Sequence, residues 1–246
     1  MKERFIRLKA DFRELGIFDK IFDILTVAIM VSVTVIQAVK NDDFMTTLQL
    51  AVNIAAAVAL FLTHILFPSH SLLGGLSLKN QKYIDIIVLI GSFGGQYLAI
   101  GHYYSNYDTV THLVTGSVIC FIGYGIYEFT AKEKGYLKPA LSSMFSFLFS
   151  MFAGLFWEVF EFSSDFIIGG TCQGYDLSLE SDKFFYFKWF TSAVKPELQY
   201  ALYDTFADLY AALITGIITA VIMFFVLKKK KTEAEKKEKE EVSLNA

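Results

Sequence analysis

Cysteine is scarce in this chain: of 246 residues, only Cys120 and Cys172 carry a thiol. Two such residues make neither a disulfide framework nor a thiolate metal cluster, and no redox motif surrounds either one. Cys120 falls in an apolar run and reads as a small core residue, while Cys172 lies in a loop. Arginine ends at Arg13, so no guanidinium clamp for an anion lies in the apolar runs that follow. Charge is thin, 19% of residues against 54% hydrophobic, and it gathers at the ends and in loops. The phosphate P-loop, the Gly-x-Ser-x-Gly elbow, the His-Glu-x-x-His pair and a C-terminal lipid-anchor motif are all missing. Composition thus excludes a large soluble core, and the missing motifs exclude several familiar enzyme classes.

What is present is apolar sequence in long runs, with a mean hydropathy of +0.45. Six runs, at about 21–39, 47–66, 83–104, 108–130, 140–168 and 200–227, are each long enough to cross the hydrocarbon as a helix. The expected fold class is all-α: a polytopic membrane protein, a bundle of six transmembrane helices with an N-terminal amphipathic helix. Residues 1–18 interleave Lys2, Arg4, Arg7, Lys9 and Arg13 with Phe5, Ile6, Leu8, Phe12 and Leu15, as a basic helix lying on a membrane does. Residues 19–227 form the membrane domain, with a long outer loop at 169–199, and 228–246 a charged tail. No small-residue cleavage site follows the first run, which reads as a retained span.

Lysine and arginine in the short loops set the orientation. The N-terminus and the Lys228-Lys229-Lys230-Lys231 run are both basic and belong in the cytoplasm, which needs an even number of spans. The loops at 67–82 and 131–139 carry further lysines and fall on the same side; the turns at 40–46 and 105–107 fall outside. This places a multi-pass protein in a bacterial plasma (inner) membrane. Its basic stretches abut the spans, so membrane lipids are its expected neighbours and nucleic acid is not. The outer loop carries Gln173-Gly174-Tyr175-Asp176 and an aromatic stretch at 184–190, which suits a lid at the interface.

Ionisable groups inside apolar runs cost free energy in a bilayer and persist where they meet one another, water or an ion. The phrase Tyr107-Asp108-Thr109-Val110-Thr111-His112-Leu113 is echoed by Tyr203-Asp204-Thr205-Phe206-Ala207-Asp208-Leu209. Between them stands Trp157-Glu158-Val159-Phe160-Glu161-Phe162, with Asp165 one turn on. In the expected topology the fourth and sixth spans enter from outside and the fifth rises to meet them. Depths then match in two layers: Asp108, Asp165 and Asp204 above, His112, Glu161 and Asp208 one turn deeper, with Glu158 below.

So many carboxylates around one imidazole need a multivalent cation, shared protons or water. Carboxylate oxygens with a single nitrogen suit a divalent metal ion: Mg²⁺, Mn²⁺, Ca²⁺ or Zn²⁺. Asp108, His112, Glu161, Asp204 and Asp208 are the expected metal ligands, and Glu158 or Asp165 the general base. A metal-dependent hydrolase or transferase acting on a lipid or envelope precursor fits this set. A proton or divalent-cation transporter is the alternative and requires a polar trail to the cytoplasmic side, where only the serines 142, 143, 146 and 150 are on offer. A structural or partner-binding subunit is the third reading. Asp108 and Asp204 also suit helix N-caps, and a simple His–Asp pair accounts for His112 and Asp208. Gly91, Gly95 and Ala99 have the spacing of a packing seam, and His64 that of an interfacial residue.

Taken in order, Tyr-Asp-Thr-x-x-His-Leu, Trp-Glu-x-x-Glu-x-x-x-Asp, Gln-Gly and Tyr-Asp-Thr-x-x-Asp-Leu resemble the YjdF-like family of bacterial inner-membrane proteins over about residues 83–227. More distantly the pattern looks like VanZ-type membrane proteins, which also place acidic groups on late spans. The resemblance implies a shared site at Asp108, His112, Trp157, Glu158, Glu161, Asp165, Asp204 and Asp208, and implies no reaction.

Overall fold

The computed structural model describes residues 2–40, 44–104, 106–168 and 200–244, and every regular element among them is helical. In chain order these are α1 (Lys2–Glu14), α2 (Ile17–Lys40), α3 (Phe44–Ala57), α4 (Ala59–Leu66), a single turn α5 (Leu72–Gly75) and α6 (Gln81–Val88). A nine-residue π-helical stretch, Leu89–Tyr97, continues α6. Then come α7 (Tyr107–Ala131), α8 (Pro139–Ile168) and α9 (Tyr200–Leu244).

Four of these, α2, α7, α8 and α9, are each long and apolar enough to cross a membrane, and α3 with α4 makes a fifth crossing if the bent pair is one span. The expected straight run at 47–66 is instead broken at Val58 by a bend of 62°. Gln81 closes the break: its Oε1 accepts from the Leu60 amide at 2.9 Å, and its Nε2 donates to the Ala56 carbonyl at 3.0 Å. Backbone groups released by the bend are thus satisfied from another helix, as they must be away from water. The run expected at 83–104 is divided as well. Eight α-helical residues pass into nine π-helical ones, and Ala99 then turns the chain with a left-handed φ of 49°. Within the π stretch the tight contact is at Gly94, whose missing Cβ leaves room for the Tyr107 hydroxyl. That hydroxyl donates to the Ile90 carbonyl at 2.7 Å. Gly91, by contrast, faces open space.

α1 docks by its arginines. Arg4 Nη1 donates to the carbonyls of Leu66 and Ile65 at 2.7 and 3.2 Å, and Arg7 Nη2 to that of His64 at 3.0 Å. These are the carbonyls that end α4 and have no partner within it. Leu8 and Phe12 of α1 pack on a small core of Leu15, Leu60 and Leu78. His64 is 2% exposed beneath α1, its Nε2 3.5 Å from Asp11 Oδ2.

α7, α8 and α9 form the most closely packed part of the molecule, and small residues allow it. Ser150 Oγ of α8 donates to the Gly116 carbonyl of α7 at 2.7 Å. A Cβ on Gly116 would stand 2.8 Å from Ala212 Cα and 2.9 Å from its carbonyl oxygen, backbone atoms that cannot swing aside. Gly116→Ala is expected to destabilise the protein by about 1–3 kcal/mol. Thermal unfolding in detergent measures it, with Gly91→Ala as the variant that meets no neighbour. α9 carries its last apolar run straight into the charged tail as one helix of 45 residues. Its tail is laced by i, i+4 pairs such as Lys236–Glu240 at 3.8 Å, each worth only a few tenths of a kcal/mol.

Candidate metal centre

Asp108 and His112 lie one turn apart on α7 and present one face. α7 begins at Tyr107 behind Asn106, so Asp108 is already inside the first turn; Asp204 is well inside α9, which begins at Tyr200. Neither aspartate is the N-cap of its helix. Asp108 instead sits where a negative charge meets the positive end of the helix dipole.

His112 is the hub. Its Nε2 lies 3.7 Å from Asp108 Oδ1 and 3.8 Å from Asp208 Oδ2. Its Nδ1 lies 3.9 Å from Glu158 Oε1 of α8. The ring thus turns one nitrogen to two aspartates and the other to a glutamate behind it. Ligand atoms of Asp108, His112 and Asp208 all fall within 4.8 Å of one another. Atoms bound to one zinc or calcium ion stand about 3.3–3.7 Å apart, so the two distances from His112 Nε2 need little change and the two aspartates a closure of at most about 1–1.5 Å. Asp208 is 1% exposed and His112 6%, whereas the Asp108 side chain is 41% exposed and opens the centre to one side.

Depth on α8 differs from expectation by one turn. Glu158, expected one turn below the ring, reaches His112, because the axial offset of α8 against α7 depends on packing that no spacing encodes. Glu161 is half-buried. One of its oxygens accepts from the Trp157 indole at 2.7 Å, and it stands within electrostatic reach of Glu158, Asp108 and Asp204. Asp165 and Asp204 are both buried, at 7% and 3% exposure, outside the converging trio. Gln173, Asp176 and the lysines 183, 188 and 195 of the outer loop lie outside the described residues.

On the outer face of α8 and α9 lies an apolar groove of about 360 Å³ lined by Met151, Phe152, Leu155, Phe206, Leu209, Tyr210 and Leu213.

Fold and site define a class, an all-helical multi-pass membrane protein with a carboxylate–histidine cluster buried where three long helices meet. The chain belongs to the family described as "Predicted membrane protein (DUF2238)", matched over residues 22–229. That match speaks for an uncharacterised membrane family and not for the narrower YjdF-like or VanZ-type labels. No curated protein and no solved structure matches the chain.

Proposed function

We propose that this protein is a metal-dependent hydrolase or transferase that acts on a phosphoryl or acyl group of a lipid or envelope precursor. The observation that supports it is the convergence of Asp108, His112 and Asp208 between long apolar helices. A bound Mg²⁺, Mn²⁺, Ca²⁺ or Zn²⁺ would supply Lewis acidity and an activated water. Asp108 and Asp208 offer carboxylate oxygens and His112 its Nε2. Glu158 faces Nδ1, so its role in this reading is to hold the ring and its tautomer, as outer carboxylates do for metal-bound histidines. Asp165 is then the remaining candidate for general base. Glu161 and Asp204 complete the carboxylate set.

In this reading the bilayer is a bacterial plasma membrane, both termini are cytoplasmic and the centre lies near the outer leaflet. The bent α3–α4 pair and the α6–π segment serve as the second and third of six crossings, and α1 rests at the inner interface. Transport fits less well. Of the four serines that would continue a polar trail below Glu158, Ser142, Ser146 and Ser150 donate instead to backbone carbonyls of Gly135, Ser142 and Gly116, and Ser143 alone keeps a buried hydroxyl without a partner among the described residues.

Metal content of the detergent-purified protein, measured by mass spectrometry, tests the proposal. Near-stoichiometric metal is expected in the wild type and its loss in a folded Asp208→Asn variant. No metal in the wild type, even after incubation with Mn²⁺, Mg²⁺, Ca²⁺ and Zn²⁺, would overturn it.

A further inference from the structure

A second pair of acids lies in the other half of the molecule. Asp23 of α2 is 3% exposed and Asp85 of α6 0%. Their carboxyl groups face each other within electrostatic reach. Asp85 Oδ1 accepts from Gln81 Nε2 at 2.8 Å. Both Asp23 oxygens and Asp85 Oδ2 are buried with no donor to satisfy them among the described residues. Thr26, one turn beyond Asp23 on the same buried stripe, is 0% exposed, and its hydroxyl also lacks a hydrogen-bond partner. The neighbouring charges are Asp19 of α2 and Lys82 of α6, ion-paired at 3.1 Å one turn before the two acids. α3, packed on both helices, carries no ionisable side chain, and the π stretch contributes only Tyr97, stacked on Phe93.

Two carboxylates both accept, so a contact between them is a hydrogen bond only when one holds a hydrogen. In a dry site they cannot both remain charged. A metal ion is the other neutraliser, but Ca²⁺ takes six to eight oxygens and Mg²⁺ near-octahedral coordination, about six or more in either case. Among the described residues the unfilled side-chain oxygens here are Asp23 Oδ1 and Oδ2, Asp85 Oδ2 and Thr26 Oγ1, fewer than either ion takes. A proton needs two oxygens. We propose that Asp23 and Asp85 form a proton-binding site within the membrane domain, separate from the carboxylate–histidine centre, and that Gln81 links its occupancy to the bend between α3 and α4.

The link is direct. The amide that donates to Asp85 also donates to the Ala56 carbonyl, and the same side chain accepts from the Leu60 amide. Losing the shared proton adds a charge to Asp85 and draws Gln81 towards it, away from the bend.

Infrared spectra of the full chain in nanodiscs at neutral pH, in H₂O and in D₂O, test the site. The wild type is expected to show a protonated-carboxyl band that shifts in D₂O and that falls by one group in Asp23→Asn/Asp85→Asn. The difference between the two proteins isolates this pair from the acids around His112. Absence of the band from the wild type, a test that needs no variant, would overturn the proposal. So would an unchanged band in a double variant shown by circular dichroism to be folded, or its collapse on adding Na⁺ or Ca²⁺ at fixed pH, which would make the ligand a metal ion. Amide exchange over residues 56–62, corrected for its intrinsic pH dependence, is expected to quicken with rising pH in the wild type alone. The same rise in the double variant would sink the link to the bend.

Discussion

Gln81→Leu is expected to destabilise the protein by about 3–6 kcal/mol, the largest effect of any single substitution outside the centre. One side chain of almost the same volume would be kept, but its amide would be lost. The Leu60 N–H, the Ala56 carbonyl and Asp85 Oδ1 would each lose a partner while buried. Each such orphan costs about 1–3 kcal/mol. Gln81→Glu keeps an acceptor for the Leu60 amide, loses both donated bonds and sets a third carboxyl beside Asp85. It is therefore expected to be destabilised at neutral pH and partly rescued in acid, where protonation restores a donor. Thermal unfolding of detergent-solubilised protein across pH reads both variants. A Gln81→Leu protein as stable as wild type would show that the bend is held by packing alone.

Glu158→Gln is expected to weaken metal binding about 10–100-fold without abolishing it. The carboxylate faces the nitrogen of His112 turned away from Asp108 and Asp208, so the substitution leaves the three ligand atoms in place and removes the charge behind the ring. Competition with a chelator of known affinity gives the number, and Asp208→Asn, which removes a ligand, sets the floor. Unaltered affinity would return Glu158 to the general-base role that its position in the sequence suggests.

The long apolar runs, the scarcity of thiols and the charged ends carried the helical membrane architecture, because those features report on the solvent around each helix. The pairing of Asp108 with His112 was legible for the same reason: two ionisable groups at i, i+4 at the head of an apolar run share a face whatever surrounds them. The offset that brings Glu158 to the ring was not, since it depends on how far α8 slides against α7. The break at Val58 was also hidden. No proline or glycine marks it, and the side chain that bridges it, Gln81, stands in a different helix. Asp23 and Asp85 did leave a signal, a carboxyl near the start of each of two apolar runs. Neither belongs to a repeated phrase, so nothing in the sequence ties one to the other.

Tyr107 and Asp108 are adjacent in the chain, and they answer to different halves of the protein. The tyrosine hydroxyl is pinned to the Ile90 carbonyl against Gly94, while the aspartate turns towards His112. With one peptide bond of about 3.8 Å between their Cα atoms, there is no slack to absorb a displacement. A displacement of the π stretch at Ile90 therefore pulls on the residue next to the aspartate, and the helix that carries Asp108 and His112 is moored at its first turn to a glycine-rich segment outside the three-helix bundle.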